Sequence, residues 1–111
     1  CKLVRVIKGS VLDVVVDLRK NSKTYGQNKK TILSEKEKNQ LWVPPGFAHG
    51  FCSLEDETIF SYKCTEYYHP EVESCILWND ESLNIDWEVN DPILSKKDMN
   101  GISFNDFISP F

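Results

Sequence analysis

From Lys2 to Leu18 the chain alternates with a period of two. Lys2, Val4 and Val6 alternate with Leu3, Arg5 and Ile7; beyond Lys8-Gly9-Ser10, Leu12, Val14, Val16 and Leu18 alternate with Val11, Asp13, Val15 and Asp17. That period belongs to a strand, and β-branched side chains favour one, so two strands around a turn at Gly9 are predicted. "NSKTYGQNKK" reads as a polar turn region, and "TILSEKEKNQ" as a short strand followed by a charged loop. "LWVP" is extended, because a residue before proline is pushed out of the helical region. "PPGFAHGF" is a turn, from which "HGFCSL" returns as a strand. After the acidic turn "EDE", "TIFSYKCTEYY" is the clearest strand, and "SCILWND" reads as another short one. From Glu81 onward turn residues recur every few positions. This predicts a tail draped over the sheet, with a short helical turn starting near Ser95. Many short strands joined by tight turns predict an all-β fold, an antiparallel barrel or sandwich, with a jelly roll as the expected form.

At 111 residues this is one domain, 1–111, and 41% hydrophobic with 27% charged residues is ordinary for a globular protein. A net charge of −4 with no basic block gives counterion-release binding to nucleic acid nothing to work with. The sequence has no long apolar run to suggest a membrane span. Cys1, Cys52, Cys64 and Cys75 are widely spaced, without C-x-x-C. Three of them sit inside apolar or strand-like stretches, which suits buried thiols of a reducing cytoplasm better than a disulfide framework, and four unclustered cysteines do not make a zinc site. The chain opens on Cys1 directly in strand-like sequence, which raises the expectation that the domain starts further upstream.

A few side chains could carry chemistry. His49 stands in "LWVPPGFAHGF". It could fix a turn by bonding backbone, or serve a site; a single histidine there does not make a metal centre. Tyr62 shares a strand face with Phe60 and Cys64, opposite Ser61 and Lys63. It is either a core tyrosine with its hydroxyl at the barrel edge or a phenol that delivers a proton to a carbanion. Tyr67 and Tyr68 could pack, or one could stack on a flat base. Ser95 and Asp98 have the spacing of a capping box, and Asp98 could instead orient a histidine. Glu66, Glu71 and Glu73 surround His69-Pro70, in what reads as a solvated loop from which one carboxylate could accept from a sugar hydroxyl.

Together the segments "GxxxDVVVDLR", "NQLWVPPGFAHGF", "FSYKCTEYYHPExE", "ILWNDxxLNIDW" and "PILSKKD", in that order and spacing, resemble the dTDP-4-dehydrorhamnose 3,5-epimerases from Lys2 to Asp98. The resemblance implies a cupin-type jelly-roll barrel and a homodimer, with no metal or other cofactor. It implies epimerisation of dTDP-4-dehydro-6-deoxyglucose, whose 4-keto group acidifies the hydrogens on C3 and C5. A base removes each proton, an enolate forms, and an acid on the opposite face returns the proton. By motif match, Tyr62 resembles the proton donor and Asp98 the carboxylate that pairs with the catalytic histidine. Lys2, His49, Glu73 and Lys97 match substrate-contacting positions, with Lys2 placed to stabilise enolate or phosphate charge. Tyr68 matches the aromatic that stacks on thymine.

The family's base is a histidine in a "G-L-H" motif preceded by arginine, upstream of Cys1, and His69 does not match it. The resemblance therefore implies negligible activity for these residues alone, and an unpaired sheet edge prone to association. Two other readings stand beside this one. The first is a related single-carbon epimerase or ketoisomerase; the second is a barrel that binds nucleotide sugars without catalysis.

Overall fold

The computed structural model describes residues 1–64, 75–87, 99 and 101–109. It contains six strands: β1 (Lys2–Lys8), β2 (Ser10–Asp17), β3 (Asn28–Ser34), β4 (Gln40–Val43), β5 (Phe47–Ser53) and β6 (Ile59–Cys64). They form two antiparallel three-stranded sheets, ordered β4-β1-β6 and β3-β2-β5. Every connection except β2–β3 carries the chain from one sheet to the other. This is the jelly-roll winding expected of the sequence, and the cupin-type jelly roll is borne out. The predicted strand in "SCILWND" is not formed as such: Ile76 makes one isolated parallel bridge to Ile102. The helical turn expected near Ser95 lies outside the described residues. The described tail carries a single 3-10 turn, Phe104–Asp106, capped by Ser103.

Gly9 allows the first change of sheet. Its φ of +85° is left-handed, and a Cβ there would stand 2.5 Å from Thr58 Oγ1. Side chains of Val4 and Val6 from one sheet and Val11 and Leu33 from the other meet between them, with Leu41 and Phe60 packed alongside. The outer face of the second sheet is covered as well. Val16 and Leu18 pack with Leu83 there, flanked by Ala48, Ile76, Ile85, Phe104 and Phe107. β2 is consequently buried on both faces. The described parts of the tail thus lie over the sheet, held by backbone and side-chain contacts rather than by a ladder.

Buried aspartates anchor the irregular parts. Asp17, at the end of β2, accepts from Arg19 at Nε (3.0 Å) and Nη2 (2.9 Å), from the Arg19 backbone N–H, and from the hydroxyls of Ser22 and Thr24. It ties the β2–β3 connection to the strand end. Asp80 accepts from the backbone N–H groups of Ser82 (2.8 Å), Leu83 (3.2 Å) and Phe104 (2.7 Å), so one carboxylate joins two parts of the covering segment. None of the four cysteines is in a disulfide. The expectation that three of them are buried needs correcting, since Cys64 is exposed and Cys1, Cys52 and Cys75 are half-buried. No helix among the described residues is long and apolar enough to cross a membrane.

The Arg19 guanidinium, helped by the Ser22 and Thr24 hydroxyls, holds the Asp17 carboxyl far below its ordinary value. The Phe104, Leu83 and Ser82 N–H groups lower that of Asp80. A depressed folded value gives stability that is present above the unfolded aspartate value, near 3.9, and is lost as pH falls below it. Urea titrations should therefore show stability declining steadily below about pH 4, with a shallower decline in Asp17→Asn. Asp80→Ala leaves three N–H groups without their acceptor. It should cost about 1 kcal/mol and lower Tm by roughly 5 °C in a thermal melt.

Candidate active site

Pro44 and Pro45 end β4, and Gly46, at φ +89°, reverses the chain into β5. The Gly46 carbonyl accepts from Leu18 N–H at 2.8 Å, fixing where β5 starts. The turn is shorter than the sequence suggests. It ends by Phe47, and His49 sits on the strand rather than in the turn.

Register then determines what faces inward. On β5, Phe47, His49 and Phe51 pair with Asp17, Val15 and Asp13 of β2. On the opposite sheet, Cys64, Tyr62 and Phe60 pair with Lys2, Val4 and Val6 of β1. Paired residues share a face. Because Val4, Val6 and Val11 meet in the core, all these side chains belong to the space between the sheets. The predicted common face of Phe60, Tyr62 and Cys64 is borne out.

On this face the rings form a continuous wall. His49 lies 6.4 Å from both Phe51 and Phe60 between ring centroids, and Phe51 and Phe60 stack at 4.2 Å. Phe60 is 6.2 Å from Tyr62, and Lys2 Nζ is 5.5 Å from the centroid of the Tyr62 ring. Toward Gly9 the space is closed by the core valines. Toward β5 and β6 it is open, with Phe51 49% and Tyr62 57% exposed. Tyr62 is thus a reachable phenol, not a core tyrosine, with a cation above its ring.

His49 does not fix a turn through backbone. Its Nε2 lies 2.7 Å from Asp13 Oδ2, across the β2–β5 pair, with the imidazole nearly buried and Asp13 fully so. Asp13 was not singled out in the sequence as a site residue. The available signal was a carboxylate on a strand of valines, on the same alternation face as Asp17.

Of the residues predicted to act, Lys2, His49 and Tyr62 come together on one face. Tyr68, Glu73, Lys97 and Asp98 lie outside the described residues. No group of three His, Cys, Asp or Glu side chains among the described residues is arranged to hold a metal ion. A separate cleft of about 500 Å³ lies among the turns at the far ends of the strands, lined by charged groups including Lys8, Glu35, Lys38 and Asp56, and contains none of the aromatic wall.

The model of the dTDP-4-dehydrorhamnose 3,5-epimerase family matches residues 1–106. The chain belongs to this family. It is 52% identical over 105 residues to the dTDP-4-dehydrorhamnose 3,5-epimerase of Shigella flexneri, covering 95% of this chain and 58% of that protein. The crystal structure of the Bacillus anthracis enzyme, with TDP and PPi bound, superposes with a TM-score of 0.91 at 50% identity, covering 93% of this chain and 59% of that one. The Legionella pneumophila enzyme, in complex with dTDP-4-keto-L-rhamnose, superposes with a TM-score of 0.89 at 48% identity, covering 94% and 56%. The chain therefore spans little more than half the length of the relatives it matches.

The wall can be tested for stability independently of activity. Phe60 is packed against the core valines, so Phe60→Ala should cost about 2 kcal/mol in urea unfolding. Tyr62→Phe, which removes one exposed hydroxyl, should change stability by less than about 0.5 kcal/mol.

Proposed function

We propose that this chain carries the proton-donating side of a dTDP-4-dehydrorhamnose 3,5-epimerase. In this reading dTDP-4-dehydro-6-deoxyglucose is epimerised at C3 and C5 through an enolate. The observation that supports this most directly is the convergence of Tyr62, Lys2 and His49 on one open aromatic wall, in a chain of this family. Two relatives give the ligand class, since one holds TDP and the other dTDP-4-keto-L-rhamnose.

The chemistry follows from the placement. A keto sugar lying against the wall presents its carbonyl oxygen to a cation, and Lys2 supplies one beside the Tyr62 ring. Positive charge near the developing enolate oxygen lowers the cost of removing the C3 and C5 protons. The Tyr62 hydroxyl is a weak acid on an accessible face, suited to returning a proton to the planar carbon. His49, held by Asp13, bonds a sugar oxygen. Tyr68 is assigned to the thymine face, Glu73 and Lys97 to the substrate, and Asp98 to support of the catalytic base. The base itself is assigned to the histidine of the family's G-L-H motif, which is not among these 111 residues, because His49 matches a substrate-contacting position instead.

The proposed assembly is a homodimer. Trp42, Ile7 and Ile59 are half-exposed on the first sheet and give a second copy an apolar surface to cover. Four cysteines without a disulfide suit a reducing compartment, and the reaction is assigned to the cytoplasm.

The deciding experiment is deuterium uptake from D₂O into C3 and C5 of dTDP-4-dehydro-6-deoxyglucose, followed by NMR. It is run with this chain and with the chain extended through its upstream reading frame. Exchange at both carbons is expected with the extended protein and negligible exchange with this chain alone; exchange in neither rejects the epimerase. In the extended protein Tyr62→Phe should slow formation of the inverted sugar about 100-fold or more, the scale of general acid catalysis. Binding of the nucleotide sugar should stay within a few-fold.

A further inference from the structure

Three described aspartates are buried: Asp13, Asp17 and Asp80. Asp17 is saturated by Arg19, Ser22 and Thr24, and Asp80 by three backbone N–H groups. Asp13 is the most deeply buried of the three, at 0% exposure, and is the least well served. Its Oδ2 meets His49 Nε2 at 2.7 Å, and its Oδ1 has no partner among the described residues. Asp13 and Asp17 stand four residues apart on the same face of β2, so the contrast does not come from the strand. A buried carboxylate with one hydrogen bond is a poor structural element, and an apolar side chain of similar size would pack at least as well. What the fold obtains from Asp13 is control of the imidazole.

We infer that Asp13 is a positioning residue that fixes the tautomer and direction of His49, and that it does so for the sugar rather than for the nucleotide. A carboxylate can only accept, so the pair places the imidazole proton on Nε2. Nδ1 is then the ring's acceptor, in a ring that lies against Phe51 and Phe60 and is held in direction by the Asp13 bond. A group that accepts there is matched to a sugar hydroxyl, a donor, and not to a phosphate oxygen. The inference rests on the reading of this wall as a sugar-nucleotide site.

The test is two-dimensional ¹H–¹⁵N NMR of the imidazole nitrogens in mildly alkaline buffer, with His49 assigned by comparison with a His69→Gln chain. In the wild-type protein Nε2 should carry the proton and Nδ1 should resonate as a bare ring nitrogen. Asp13→Asn, whose amide can either donate or accept, should move both shifts toward the average of the two tautomers. In the extended protein the same change should weaken binding of dTDP-4-dehydro-6-deoxyglucose about tenfold, the scale of one hydrogen bond, and leave dTDP itself unaffected. A wild-type proton on Nδ1, shifts unmoved by Asp13→Asn, or equal loss for sugar nucleotide and dTDP would each overturn the inference. The wild-type spectrum decides the tautomer even if the variant does not fold. A failure of deuterium exchange would reject the epimerase reading while leaving the tautomer result in place.

Discussion

Burial of β2 on both faces is the constraint from which the rest of this structure follows. The strand lies between β3 and β5, with the opposing sheet across its inner face and the covering segment across its outer one. Apolar burial on two sides is a large stabilising term for a short chain. It leaves nowhere for a polar group on that strand to reach water, however, and the strand carries two carboxylates. Each had to find partners inside the protein. Asp17, at the strand end, finds them locally in the connection to β3 and organises that connection in doing so. Asp13, mid-strand, is bonded across to β5, and the group it meets there is His49.

The inner face divides into two functions along its length. Near Gly9 it is closed core, made by Val6, Val11 and Leu33. Toward the other end, where β5 and β6 border open space, the same alternation presents His49, Phe51 and Tyr62. Phe60 belongs to both halves. It packs against the valines and also contacts His49, Phe51 and Tyr62. The position of the phenol relative to the imidazole is therefore inherited from core packing, not set by a loop, and strands hold functional groups more firmly than loops do. Half-exposed rings are an unfavourable way to finish a core, and they make sense where a flat ligand covers them.

Much of this was legible in the sequence because a strand's period is short and its register is fixed by burial. The two strands around Gly9, the shared face of Phe60, Tyr62 and Cys64, and the extended stretch before Pro44 could all be read from alternation and from the two punctuating residue types. Lys2, His49 and Tyr62 could be named because they sit in segments whose residue order resembles a known family. The covering segment was legible only as a tail. Asp80 organises it through backbone N–H groups brought together from positions 82, 83 and 104, and no periodic signal encodes such a contact. "SCILWND" has the composition of a strand but shows only the bridge of Ile76 to Ile102, and composition cannot supply a partner.

Asp13 shows most clearly where sequence reading stops. Alternation assigned Asp13 and Asp17 to one face, and on a strand with one wet face that would make both of them solvent-facing and unremarkable. In the fold that face is the one turned toward the opposing sheet, which makes both of them buried charges, and only the three-dimensional partner list separates them. One is saturated and structural; the other has a single bond and an empty oxygen. Because the saturated aspartate shares its strand and face with the unsaturated one, burial by itself is not a sign of function here. The informative quantity is how far a buried charge falls short of the partners its surroundings could have provided. By that measure, among the described residues, the inner face of this jelly roll carries its least satisfied charge directly behind the imidazole of the open wall.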